Sequence, residues 1–393
     1  MPRVPHKNLV NVTLALSLQS LSVNLINIFV PLLLLDRGVR LWGVCLYYLA
    51  YAVCKLAVNY PSVLLIQKFS PRVGLVIALC CSSVYVSSFN LLSTGLPAWS
   101  LVATAAAMAL TNAFLWNSQH IHLARMLVTG SRGTELAVIE SVSRLMVLSA
   151  PLVGGVAISV GGQRALLLSA VGLTLLAVVP AWRIQVAGEA DPRFDEPVRY
   201  GLGQTSKRDL WANFCYNANA VIAMMVWPVY MAEVVSDFAD IGVINTVSAL
   251  AATVLLWVAG RRGDAGKTRR VLAEGTVLVS LTNVLRLFAL NPITITAVGT
   301  AAQLAGSYQN IPWTSTYYGH AGKEGVQYVM AMEIAGDMAY VFVWMALFGV
   351  SLAFSQGHTV FVVAFVLTSL LSLGVLRMRA PESPRPVPEP VSQ

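Results

Sequence analysis

Two pairs of charged residues sit four apart inside long apolar runs: Glu140 with Arg144, and Glu333 with Asp337. Residues at i and i+4 are neighbours on a helix, so each pair shares one face. A charge at the bilayer centre costs about 2.5–3.5 kcal/mol on insertion scales, so such a face must look onto protein or a water-filled cavity. The first pair has opposite signs and can form an ion pair along its helix. The second is doubly acidic and repels itself unless a proton or a cation intervenes. Lys55, inside another apolar run, is the candidate cation. A buried carboxylate whose solvent access changes can take up and release a proton without any cofactor. Two other readings stand beside this one: pairs that gate without titrating, and pairs that only orient helices.

The elements that must hold these residues are membrane spans. The chain has 393 residues, 56% of them hydrophobic and only 11% charged. A soluble protein of this length carries about 25% charged residues. Apolar runs long enough to cross a bilayer repeat from end to end, without the period-two alternation of a membrane barrel. Twelve spans are expected at about 9–35, 41–66, 73–94, 98–122, 135–159, 165–183, 208–232, 239–260, 271–291, 293–317, 326–353 and 359–377. The first run is too long for the core of a cleavable signal peptide. With the N-terminus in the cytoplasm, twenty of the 26 Lys and Arg fall on the cytoplasmic side, three outside and three within spans. This asymmetry predicts a multi-pass protein of the cytoplasmic membrane with both termini inside. It also accounts for the basic charge without nucleic acid. Arg286, near the outer end of the ninth span, is expected to snorkel to the interface. The five cysteines, Cys45, Cys54, Cys80, Cys81 and Cys215, lie in apolar runs without metal-ligand spacing. There is no phosphate-binding glycine loop and no nucleophile constellation. No metal, no cofactor and no enzymatic activity is therefore expected.

The two halves echo each other. Pro31 followed by Asp36 recurs as Pro228 followed by Glu233, Arg72 as Arg270, Asn117 as Asn310, and Glu140 with Arg144 as Glu333 with Asp337, at offsets of 193 to 198 residues. Four matches in chain order on corresponding spans support a duplicated six-span unit. Parallel repeats of this kind bind substrate near the midplane, between the halves.

The loops after the second and eighth spans carry a further signal. The second copy reads Gly260-Arg261-Arg262-Gly263-Asp264-Ala265-Gly266-Lys267-Thr268-Arg269-Arg270, and the first Gln67-Lys68-Phe69-Ser70-Pro71-Arg72. In this glycine- and arginine-rich loop the chain resembles the major facilitator superfamily, over all twelve spans. Asp264 to Gly266 is one residue short of the family spacing, and Gln67 and Ser70 stand where the family has Asp and Gly. Pro151, Gly154 and Gly155 are similar to the fifth-span motif of the family's drug–proton antiporters, which has glycines where Met146 and Ala150 stand here.

The resemblance implies an all-α membrane protein of twelve transmembrane helices in two six-helix bundles related by a pseudo-twofold axis. The bundles would be residues 1–183 and 208–379, joined by a cytoplasmic linker at 184–207 and followed by a disordered tail at 380–393. It implies a conformational role for Lys68, Arg72, Gly260, Asp264, Gly266, Arg269 and Arg270, the aspartate capping a neighbouring helix and latching the outward-open state. The second and eleventh spans lie side by side in the family, which would pair Lys55 with Asp337. The cavity would be lined by spans one, four, seven and ten, here carrying Asn24, Asn27, Asn117, His120, Asn217, Gln303, Tyr308, Asn310 and Trp313. His120 and His122 flank the cytoplasmic end of the fourth span, where interfacial histidines are common and a proton relay is the alternative. The expected activity is secondary transport of a small organic molecule by a monomer in the lipid bilayer, with efflux of amphipathic compounds driven by protons as the leading reading. The alternatives are a proton symporter or uniporter of a sugar-like or other polar metabolite, and a receptor or assembly factor that keeps the fold without transporting.

Overall fold

A computed structural model describes residues 6–27, 30, 34–35, 38–93, 98–127, 131–185, 191–203, 205–234, 253–354 and 357–380. The described residues are helical, with no strand among them. The Pro31–Asp36 match, most of the span expected at 239–260 and nearly all of the tail lie outside them.

The helices are α1 (His6–Asn27), α2 (Leu41–Phe69), α3 (Pro71–Ser93), α4 (Ala98–Met126), α5 (Arg132–Leu148), α6 (Ala150–Trp182), the single turn α7 (Pro192–Asp195), α8 (Lys207–Val221), α9 (Trp227–Val234), α10 (253–262), α11 (Thr268–Leu285), α12 (Pro292–Glu324), α13 (Val326–Ala353) and α14 (Gly357–Ser372). Eight helical segments among the described residues are long and apolar enough to cross a membrane. The protein is an all-α, multi-pass membrane protein.

Local chemistry explains where the helices stop. Ser149 bends the chain between α5 and α6, its backbone N–H and its hydroxyl both returning to the Met146 carbonyl. Pro151 lies in the first turn of the new helix, where its missing N–H costs nothing. The expected fifth span is thus broken in the middle. Gly161 and Gly162 then leave helical geometry, Gly162 with φ +64, and the chain reverses there into the sixth span. Asn291 opens α12 with a capping box, accepting from the Thr294 amide at 2.9 Å and followed by Pro292. Gly325, at φ +76, turns α12 directly into α13; its position lies against the Arg193 carbonyl, so no side chain fits. Five residues of π-helix, Ile222–Val226, join α8 to α9.

Long-range pairs assemble the bundle. Asn8 and Gln185 exchange hydrogen bonds at 3.1 and 3.0 Å, tying the start of α1 to the chain just after α6. Ser22 donates to the Ala170 carbonyl and bonds Thr174, holding the same two helices together deeper in. Helices α2 and α13 run antiparallel in register. Tyr48 stacks on Trp344 at 4.7 Å, Tyr51 meets Tyr340 edge-on, and Lys55 meets Asp337. This seam carries the charged residues of the first and last thirds of the chain to one place.

Candidate functional site

Lys55 is 6% exposed, midway along α2. Its Nζ lies 2.5 Å from Asp337 Oδ1 and 3.5 Å from Glu333 Oε2. Asp337 Oδ2 accepts from Asn59 Nδ2 at 2.7 Å. Glu333 Oε1 lies 3.2 Å from His120 Nε2, and His120 Nδ1 is 2.8 Å from the Tyr318 hydroxyl. Four helices, α2, α4, α12 and α13, meet in this network. Its charges count simply. With both carboxylates ionised, the lysine charged and the imidazole neutral, the cluster carries one negative charge in excess. An uncompensated charge in a buried site is strongly unfavourable. The cluster is balanced when His120, Glu333 and Asp337 together hold one exchangeable proton. That is the chemistry this geometry can perform.

The other acidic–basic pair behaves differently from the sequence expectation. Glu140 and Arg144 do not form an ion pair. Arg144 donates from Nη1 to Ser307 Oγ of α12 at 2.7 Å, and Glu140 lies beside Asn310 of the same helix. The i,i+4 spacing allows pairing, but polar groups on the facing helix capture each partner separately. Asn310 Oδ1 accepts from the Tyr216 hydroxyl at 2.8 Å, and Tyr216 stacks on Trp313 at 4.6 Å and 11°.

The expected cavity residues divide. Asn310, Trp313 and half-buried Gln303 lie on α12, the first two in the Tyr216 group, while Asn217 bonds back to Asn213 at 3.0 Å. Asn24 is exposed and returns to the Ser20 carbonyl of its own helix; the Asn27 side chain lies outside the described residues. Asn117 is fully buried and donates to Ser62 at 3.0 Å, so it fixes α4 to α2 and does not face a cavity. Tyr308 donates to Glu274 Oε2 at 2.8 Å and meets Arg262, so it fastens α12 to α10 and α11. Helix α4 continues to Met126, six residues beyond His120, which sets the half-buried imidazole about 9 Å inside the helix end. His122 is buried. Nor does Arg286 snorkel. It is 4% exposed, donates to Asn283 Oδ1 at 2.8 Å and lies 4.9 Å from the Trp227 ring. A cation–π face and an amide oxygen replace the water it would otherwise seek.

At the end of the bundle that carries the basic loops, Asp264 accepts from the Gly133 amide and the Thr134 amide, each at 2.9 Å, and from the Thr134 hydroxyl at 2.5 Å. These are orphan donors in the first turn of α5, so the carboxylate caps that helix and meets its dipole. Gly260 lets α10 approach: a Cβ there would lie 2.9 Å from the Gly133 carbonyl oxygen. Gly266 takes φ +79 in the same loop. Arg270 pairs with Glu274 at 2.8 Å, and Arg269 is exposed. The first loop works otherwise. Gln67 donates to the Phe194 and Glu196 carbonyls and accepts from the Val198 amide. Arg72 lies over the Trp182 ring and Lys68 over Phe69. The segment 191–203 is therefore bound on one side by Gln67 and by Arg125, which pairs with Asp195. On the other side Arg193 donates to the Gly322 carbonyl, and Gln327 exchanges bonds with Arg199. Gly154 packs near Leu25, while Pro151 and Gly155 follow the bend at Ser149.

Asn59 and Tyr318, which sequence reasoning missed, complete the network. Asn59 is one turn from Lys55 on α2, while Asn213, expected with the polar residues of the seventh span, donates to the Met332 carbonyl, next to Glu333, at 2.5 Å. The i,i+4 relation to a buried lysine was the available signal for Asn59. Tyr318 had none beyond its aromatic neighbours.

No protein-family model matches the sequence, and no curated protein is similar to it in sequence. Solved structures do match. The E.coli fucose:proton symporter FucP is similar at 14% identity and a TM-score of 0.66, over 95% of this chain and 98% of that one. A FucP structure in the outward conformation gives 13% and 0.67, over 95% and 99%. The human organic anion transporter MFSD10 gives 13% and 0.65, over 96% and 100%. These likenesses span nearly all of each chain, and the chain has the fold of the major facilitator superfamily.

Proposed function

We propose that the protein is a secondary active transporter, moving a small organic molecule across the cytoplasmic membrane by alternating access in exchange for protons. The observation that carries this is the cluster in which Lys55 bridges Glu333 and Asp337 while His120 holds the other Glu333 oxygen. Its members come from α2 and α4 on one side and α12 and α13 on the other. Rocking of the two sides would break Lys55 from its carboxylates and change which solvent reaches them. A proton taken up in one state would then be released in the other.

The contacts at the basic end support a state closed to the cytoplasm. Asp264 caps α5, and the segment 191–203 bridges Gln67 and Arg125 to Gly322 and Gln327. Proton coupling in FucP, a fucose:proton symporter by name, supports a coupled mechanism for this fold. The bend of the fifth span at Ser149 and Pro151 supports the efflux direction, through the antiporter-like motif of Pro151, Gly154 and Gly155. The lack of a nucleotide-binding motif argues against a primary pump, and the intact charge cluster against a receptor that has lost coupling.

Proteoliposomes loaded with a pH-sensitive dye test this. A transported compound should move protons against its own flux in the wild type. In Glu333→Gln the proton movement should vanish while exchange of labelled compound across the bilayer continues. Flux unchanged on collapsing the proton gradient would overturn the coupling.

A further inference from the structure

We infer that the space between α5, α8 and α12 is the substrate site, and that it takes a zwitterion carrying a flat apolar ring, such as an aromatic amino acid or a compound built like one. This rests on the transporter reading above and adds the chemical class of the cargo. Arg144 and Glu140 are opposite charges on one helix face, within electrostatic reach of each other but without a direct ion pair. Their Cβ atoms are about 5–6 Å apart by helix geometry. Both turn toward α12, Arg144 to Ser307 and Glu140 to Asn310. Both lie on α5 before the break at Ser149, and both are only half-buried.

Arg144 has five N–H donors and spends one on Ser307. The rest can grip a carboxylate in the bidentate manner suited to a guanidinium. Glu140 stands one helical turn away, where an ammonium group would find it. A ligand with a single charge would satisfy one of these groups and bury the other without a partner. A cation would leave Arg144 unmatched, and an anion would leave Glu140 unmatched. A zwitterion answers both. Tyr216 supplies the remaining selectivity. It lies within electrostatic reach of both charged groups, its hydroxyl is held by Asn310, and its ring is stacked flat on buried Trp313. The opposite ring face is a fixed aromatic platform on which a second ring can lie. The Lys55 cluster lies apart from this choice, because its one excess negative charge is answered by the exchangeable proton it holds.

The test is ligand stabilisation of the purified full-length protein in detergent, with three probes of one ring size: phenylalanine, phenethylamine and 3-phenylpropionate. Phenylalanine should raise the melting temperature in a saturable way, by on the order of 2–4 °C at high occupancy. The other two should give at most a small fraction of that shift. Arg144→Gln should abolish the phenylalanine response and bring out one to phenethylamine. Glu140→Gln should abolish it and bring out one to 3-phenylpropionate. Equal stabilisation by either singly charged probe, or none by phenylalanine, would overturn the proposal. So would a phenylalanine response that survives both substitutions. The wild-type comparison decides the matter even if a variant fails to fold. Binding is read here without a proton gradient, so failure of proton coupling in vesicles would leave this result standing, and the reverse.

Discussion

Lys55 of α2 and Asp337 of α13 lie 282 residues apart in sequence and 2.5 Å apart in space, Nζ to Oδ1, with both side chains almost fully buried. Removing the lysine leaves two buried carboxylates without a cation, at a cost of about 3–5 kcal/mol. Lys55→Ala should lower thermal stability in detergent and abolish transport, whereas Asp337→Ala leaves Lys55 matched by Glu333 and should abolish proton coupling at a smaller cost in stability. The exchange Lys55→Asp with Asp337→Lys should recover most of the stability lost by either charge reversal alone. If the double variant is as unstable as the sum of the singles, the two residues are not energetically coupled.

His120 should matter through Glu333. Its Nε2 is 3.2 Å from Glu333 Oε1, and its Nδ1 is 2.8 Å from Tyr318. His120→Gln keeps a polar side chain but cannot gain a charge. The variant should shift the pH dependence of transport while leaving the affinity for substrate within about twofold, since the imidazole lies outside the Tyr216 group. An unchanged pH profile would remove His120 from the proton site.

Asp264 should set the balance between the two end states. Its carboxylate accepts from both Gly133 and Thr134 at 2.9 Å, and loss of a helix cap costs about 1–2 kcal/mol. Asp264→Ala should shift the protein toward the state open at the basic end. Amide exchange at Gly133 and Thr134 should rise by about tenfold, the factor that 1.4 kcal/mol represents. Exchange unaltered at those two amides would show that the cap is not holding the helix.

Gln67 stands where the family loop has aspartate, and it holds a strand of backbone in place of a helix end. Gln67→Ala removes the acceptor of the Val198 amide and the donor to Glu196. Exchange at Val198 should speed up. Protease should cut within 191–203 sooner, while the overall melting temperature falls by no more than a few degrees. Protection of Val198 at the wild-type level would mean that Arg125 and Gln327 suffice to hold the segment.

Much of this was legible in the sequence, for reasons that differ by residue. Hydropathy exposes a span because the bilayer leaves no other home for twenty apolar residues. Depth along two neighbouring spans brings Lys55 level with Asp337. The loop from Gly260 to Arg270 carries its own signature, and Asp264 acts through it. What the sequence hides is which partner wins. Glu140 and Arg144 have ideal spacing to pair, yet Ser307 and Asn310 on another helix take them, and nothing local records that. His120 lies in the fourth span without a charged neighbour in sequence, so its contact with Glu333 on another helix is hidden as well. Tyr308 and Asn117 sit among cavity candidates in sequence, but their rotational positions turn them to Glu274 and Ser62. Arg286 looked bound for the interface because its partners are a π-face and an amide, which no charge pattern reveals.

The central claim is that one exchangeable proton resides on the cluster of His120, Glu333 and Asp337. Infrared difference spectroscopy of the purified protein, titrated across pH, reads it directly through the carboxyl stretch of a protonated side chain. The account predicts a carboxyl band that appears as pH falls, and that is lost or displaced in Glu333→Gln. A titrating band identical in the variant and the wild type, or neither a titrating carboxyl nor a titrating imidazole band, would contradict it.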